Sequence, residues 1–169
     1  GIQADLKTFH ALGVYGTSVI TAVTAQNTLG VTSVLEMPTG IVIDQMDAIL
    51  TDINTDAVKI GMMANIEIIR AVVERLTYYR ISKVVLDPVM VAKGGDRLLR
   101  KDAVNVMQDE LFPLAMVVTP NVPEAEILAQ MKIRSNSHMR RAAEIIVDKG
   151  ANSIVLKGGH FLGDAVDLF

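Results

Sequence analysis

The chain has 169 residues; 16 Lys and Arg against 19 Asp and Glu give a formal charge of −3, and with a pI near 5.6, no Trp and few aromatics it lacks a nucleic-acid surface. Half the residues are hydrophobic, enough to bury a core and to exclude disorder, while no apolar run approaches the ~18 residues of a membrane helix, so a soluble chain with no membrane partner is expected. The absence of cysteine removes disulfides, thiolate nucleophiles and cysteine metal sites within these residues, and favours a reducing, cytoplasmic setting.

The amino terminus, Gly1 to Asp5, has no basic or apolar leader, and Asp5 and Lys7 read as the charged face of a first helix. From Tyr15 to Ala25 the β-branched run Thr17 to Thr24 predicts a largely buried strand, followed by turn residues Asn27 and Gly30. Val31 to Met37 is a second, short extended piece closed by Pro38 and Gly40. Val42, Met46, Ile49, Leu50 and Ile53 fall at helical spacing with Asp44 and Asp47 opposite. Ala57 to Met62 reads as strand, and Asn65 caps a helix with the stripe Ile66, Ile69, Val72, Val73 and Leu76. Lys83 to Leu86 is strand; Lys101 to Leu111 is a helix with Val104, Met107 and Leu111 inward, ended by Pro113. Met116 to Thr119 is strand, a helix starts near Val122, another spans Ser137 to Lys149 with Gly150 as its stop, and Ser153 to Leu156 is strand. This alternation predicts one α/β domain over residues 1–169, a mostly parallel sheet covered on both faces.

In an open parallel sheet ligands sit beyond the carboxyl ends of the strands. The segments to examine are therefore Gln26-Asn27-Thr28, Gly61-Met62-Met63, Asp87-Pro88-Val89-Met90, Thr119-Pro120-Asn121 and Lys157-Gly158-Gly159-His160, all polar or glycine-rich after apolar strands. Gln26 ends its strand with a carboxamide that can donate to a ring nitrogen and accept from a neighbouring exocyclic amine, as glutamine reads adenine; the alternative is a turn-capping amide. Asn121-x-x-Glu124 is either a capping box or the anchor of a hydrated Mg²⁺, and both can hold together. Asp87 precedes a proline at the crevice, where a turn role competes with an electrostatic role in phosphoryl transfer. Lys157 enters Gly158-Gly159, where a point charge and open backbone suit an anion, although a solvated loop lysine reads the same way. Lys93-Gly94-Gly95-Asp96 reads as a flap or a plain loop, and His10, His138 and His160 have no metal-ligand spacing.

Gly1-Ile2-Gln3-Ala4-Asp5-Leu6-Lys7-Thr8, Thr24-Ala25-Gln26-Asn27-Thr28, Lys59-Ile60-Gly61-Met62, Leu86-Asp87-Pro88-Val89-Met90, Thr119-Pro120-Asn121-Val122-Pro123-Glu124-Ala125 and Val155-Leu156-Lys157-Gly158-Gly159-His160 together resemble the hydroxymethylpyrimidine and phosphomethylpyrimidine kinases of thiamin synthesis. The resemblance implies a ribokinase-like three-layer fold and ATP-dependent phosphorylation of 4-amino-5-hydroxymethyl-2-methylpyrimidine and then of its monophosphate. It implies that Gln26 holds the pyrimidine and that Thr24, Met62 and Val89 line its pocket, with methionine as ordinary core filler the alternative for Met62. It further implies that Asp87 is catalytic, that Asn121, Glu124, Lys157 and Gly159 meet the nucleotide, and that Glu124 and Asn121 hold Mg²⁺ through water.

The family opens with a strand before the position of Gly1 and continues past that of Phe169 into a Gly-Thr-Gly-Cys anion loop. The 169 residues are accordingly expected to be incomplete at both ends, inactive alone, and part of a homodimer at full length. A pyridoxal kinase of the same fold is the nearer rival, against which Gln26 and the Lys157-Gly158-Gly159-His160 run weigh; a non-catalytic pyrimidine-binding module is the other.

Overall fold

A computed structural model of the chain describes residues 1–90, 99, 101–159 and 166–169. The strands β1 (Ala22–Gln26), β2 (Val31–Glu36), β3 (Val58–Ile60), β4 (Val84–Leu86) and β5 (Val117–Val118) alternate with helices α1 (Ile2–Ala11), α2 (Thr39–Leu50), α3 (Ile66–Tyr78), α4 (Lys101–Val106), α5 (Val122–Ala129) and α6 (Asn136–Asp148). Helix α4 runs on into a π turn over Met107–Leu111 and a 3₁₀ turn over Phe112–Leu114, so the predicted helix changes pitch before Pro113.

β3, β4 and β5 form a parallel sheet in that order, with Val58 opposite Val84 and Leu86 opposite Val118. Residues 153–157 lie beside β5, joined by parallel bridges from Val118 to Ile154 and from Asn121 to Lys157. The predicted last strand is thus present as a bridged segment. Val84 and Leu86 are fully buried and Val85 partly so, as expected of a sheet covered on both faces. The core joins them to Ile68, Ile69 and Leu76 of α3, Leu128 of α5 and Ile146 of α6. Asn65 caps α3 by accepting from the Ile68 N–H, and Ser135 caps α6 by accepting from His138. Gly150 ends α6 at φ +112°, which only glycine adopts readily.

The first predicted strand is corrected. Residues 14–20 have no regular secondary structure, and β1 begins only at Ala22. It pairs antiparallel with β2 in a separate two-stranded hairpin whose side chains are half-buried or exposed, so the β-branched run is not a buried parallel strand. The reason lies in the backbone partners. At Ile20 the N–H donates to Gln45 Oε1 at 2.9 Å, and the Ile20 carbonyl accepts from Gln45 Nε2 at 3.1 Å, so a side chain of α2 fills both ladder positions. The next residue, Thr21, donates through Oγ1 to the Met62 carbonyl at 2.7 Å, which fastens the base of the hairpin beside β3. Helix α2 also starts earlier than its apolar stripe suggests, at Thr39, with Pro38 at the cap and Gly40 inside it.

Candidate active site

The carboxyl ends of the parallel strands bring together residues far apart in sequence. The Asp87 N–H donates to the Ile60 carbonyl at 2.8 Å, and the Thr119 N–H to the Leu86 carbonyl at 2.8 Å, so backbone pairing continues one residue past each strand and fixes where these side chains start. Lys157 is aligned by its own N–H on the Pro120 carbonyl at 2.8 Å. From these anchors the Lys157 ammonium reaches Asp87 Oδ1 at 2.8 Å, and Thr119 Oγ1 donates to the same oxygen at 3.3 Å. The other carboxylate oxygen of Asp87 faces Lys59 Nζ at 4.0 Å, and Lys59 in turn donates to both oxygens of Asp5 on α1, at 2.9 and 3.1 Å. The result is a row of alternating charge, Asp5, Lys59, Asp87, Lys157, across the sheet's carboxyl edge. The Asp87 side chain is 24% exposed and that of Lys157 39%, so the row is open to a ligand.

Glu124 stands in the first turn of α5, close enough to Lys157 to feel its charge. It is 5% exposed, and burial pushes its carboxyl above the ordinary glutamate range. The N–H groups of Asn121 and Met90 and the charge of Lys157 act against that rise, whereas the charge of Asp87 adds to it. Asn121 and Glu124 form the full capping box: the Asn121 N–H donates to Glu124 Oε2 at 2.9 Å and the Glu124 N–H to Asn121 Oδ1 at 2.9 Å. Capping therefore occupies the carboxylate from one side. Among the described residues no group of three carboxylates or imidazoles could grip a metal directly. One buried carboxylate with a neighbouring amide oxygen nonetheless suits Mg²⁺, which keeps several of its waters and accepts such anchors through them.

The other predicted residues are placed as follows. Met62 and Val89 are half-buried at the ends of the segments that follow β3 and β4, with Met62 packed on the core. Thr24 is half-buried and Gln26 exposed, at a bulge where the hairpin register shifts between Ala25 and Gln26. Gln26 stands five residues beyond the Thr21 clasp, roughly 16 Å of strand, and no hydrogen bond or ion pair among the described residues joins it to the Asp87 cluster. Gly159 has open space where a side chain would be, but its neighbour Gly158 does not: a Cβ there would lie 1.9 Å from the Val166 carbonyl oxygen. The Gly158 N–H is also committed, to Asp167 Oδ1 at 3.0 Å, which leaves Gly159 as the glycine able to face an anion. The suggested flap at residues 93–96 and His160 lie outside the described residues.

Sequence reasoning missed Lys59 as a site residue and took Asp5 for a solvent-facing charge. The available signal was position: a lysine between Val58 and Ile60 in a buried parallel strand needs a partner near the strand end. A cavity of about 220 Å³ lined by Ile53, Asn54, Tyr79 and Arg80 sits instead at the amino ends of β3 and β4, away from this chemistry.

A parallel α/β sheet that gathers two lysines, an aspartate and a buried glutamate at its carboxyl edge belongs, by its architecture, to the ribokinase-like class. The family described as phosphomethylpyrimidine kinase matches residues 1–169, and the chain belongs to it. A hydroxymethylpyrimidine/phosphomethylpyrimidine kinase of Rhizobium meliloti is 53% identical over 171 residues, covering 100% of this chain and 64% of the relative. The crystal structure of a phosphomethylpyrimidine kinase from Clostridium difficile matches with a TM-score of 0.89 at 48% identity, over 99% of this chain and 72% of that one. The pyridoxal kinase of Staphylococcus aureus in complex with AMP-PCP matches at 38% identity with a TM-score of 0.87, over 99% of this chain and 62% of that one. The chain spans between 34% and 64% of the length of the first two curated relatives it matches.

Proposed function

We propose that the protein phosphorylates the hydroxymethyl group of 4-amino-5-hydroxymethyl-2-methylpyrimidine with ATP and then phosphorylates the resulting monophosphate. The observation that carries this reading is the convergence of Asp87, Lys157, Lys59 and Glu124 at the sheet's carboxyl edge in a chain of this family. In the transfer, the substrate oxygen bonds to the γ-phosphorus as the bond to the bridging oxygen of ADP breaks, and negative charge spreads over the transferring group. Lys157 and the open backbone of Gly159 would meet the phosphates, with Asp87 positioning Lys157 before they arrive. Asn121 and Glu124 would hold Mg²⁺ through its waters; when bound, the ion neutralises the charge that develops on the phosphates. Gln26 would read the aminopyrimidine edge, with Thr24, Met62 and Val89 as the pocket walls. The homodimer belongs to the same reading and rests on the resemblance, and the cytoplasmic setting rests on the absence of cysteine from these residues.

The Rhizobium meliloti hydroxymethylpyrimidine/phosphomethylpyrimidine kinase is 53% identical to this chain, whereas the pyridoxal kinase complex is 38% identical, which favours the pyrimidine as acceptor. The test is to supply the protein, at its full natural length, with ATP and each alcohol in turn. Faster phosphorylation of the pyrimidine is expected. A large preference for pyridoxal, or pyrimidine binding without ATP consumption, would overturn the assignment.

A further inference from the structure

Asp87 has a counter-ion on each side, and the two are held differently. Lys157 contacts Oδ1 at 2.8 Å from a bridged segment at the sheet margin, and its side chain is 39% exposed. Lys59 faces Oδ2 at 4.0 Å from within β3, is 26% exposed, and is tethered by both oxygens of Asp5. An arriving polyphosphate competes with Asp87 for Lys157, the outer and more accessible of the two cations. If Lys157 left with no replacement, a half-buried carboxylate would stand uncompensated beside phosphates of its own sign, which is unfavourable. Lys59 is placed to prevent that, since a shift of about 1 Å would bring its ammonium to charge-assisted hydrogen-bond distance.

We propose that Lys59 is a positioning residue: it is the standing counter-ion of Asp87, it releases Lys157 to an incoming polyphosphate, and Asp5 keeps it in place. The idea rests on the phosphate-transfer reading above for the identity of the ligand. It differs from that reading in assigning the Asp5–Lys59 pair, which links α1 to β3, a part in nucleotide binding. Helix α1 buries no side chain, so this pair joins an otherwise lightly held element to the site.

The experiment uses the protein at full natural length, with Lys59→Met and Lys59→Arg, and titrates a non-hydrolysable ATP analogue by calorimetry beside steady-state kinetics and thermal melting. Lys59→Met should weaken analogue affinity and raise the ATP KM about tenfold, the scale of one charge-assisted contact, while the KM of the alcohol stays near wild type. Lys59→Arg, which keeps the charge, should restore most of the affinity. Unchanged analogue affinity in Lys59→Met would overturn the proposal. So would a fall in melting temperature with equal losses for both substrates that Arg does not rescue, because that pattern marks a structural role only. A wild-type protein that binds the analogue but leaves the pyrimidine untouched would sink the proposed function alone, since the titration reads the lysine exchange without the alcohol. A wild type that binds no nucleotide would overturn both.

Discussion

Glu124 carries two demands on one carboxylate. As a capping residue it needs only an acceptor for the Asn121 N–H, which a carboxamide supplies; as an anchor for hydrated Mg²⁺ it needs the charge. Glu124→Gln separates them. The melting temperature should stay close to wild type, because Gln keeps the cap and removes an ionised group whose burial is unfavourable. The rate of ATP-dependent phosphorylation should fall by about a hundredfold or more and require more Mg²⁺; a retained rate would leave Glu124 as a cap and nothing else. Gln26 poses the converse case, an exposed side chain with little to lose in stability. Gln26→Ala should raise the pyrimidine KM, or lower kcat/KM, by about 10- to 100-fold while ATP affinity changes less. Unchanged kinetics would remove it from the site. Asp87 and Lys157 stand out as candidates in the sequence because each follows an apolar strand directly, and Asn121 and Glu124 because their Asn-x-x-Glu spacing opens a helix shortly after one. Lys59 has a signal in its place within a buried strand, but its partner Asp5 lies 54 positions away and no local pattern encodes that contact.

At the scale of elements, the helices were the easier part. The stripe of α3 and its cap Asn65 are local features, and the structure has them where the pattern puts them; α6, expected over Ser137 to Lys149, lies one residue earlier. The first strand was misread because a β-branched run states a preference for extended backbone and not the identity of its partner. Here the partner at Ile20 is the Gln45 side chain, which composition cannot reveal. A second side-chain clamp follows α5. Glu126 accepts from Lys132 Nζ at 2.8 Å and from the Ile133 N–H at 2.8 Å, and the Lys132 contact holds its carboxyl below the ordinary glutamate range. A carboxyl lowered in the folded state stabilises above its unfolded pKa, and that contribution is lost as pH falls through the folded value. Glu126→Gln should therefore cost stability at neutral pH and flatten the acid limb of the stability profile. If chemical denaturation at pH 7 and in the acid range gave parallel curves for both proteins, the clamp would have no energetic weight.

The molecule as a whole divides its hydrogen bonding unevenly. The buried layer of β3, β4 and β5 is knitted by continuous strand pairing and packed against α3, α5 and α6. The β1–β2 hairpin shares no ladder with that sheet. Its base is fastened by the Gln45 carboxamide on Ile20, by Thr21 Oγ1 on the Met62 carbonyl, and by Asn65 Nδ2 on Glu36 at 2.5 Å. No helix among the described residues is long and apolar enough to cross a membrane. The fastening at Ile20 has a kinetic consequence. A ladder opens cooperatively with its sheet, whereas side-chain clasps open one by one, so the hairpin forms its own unfolding unit with a lower opening free energy than the core. In native-state deuterium uptake the paired amides of residues 22–36 should exchange well before those of β4. Gln45→Leu should hasten uptake in the hairpin and leave Val84 to Leu86 at their wild-type rate. Equal acceleration in both places would mean that hairpin and sheet breathe as one body.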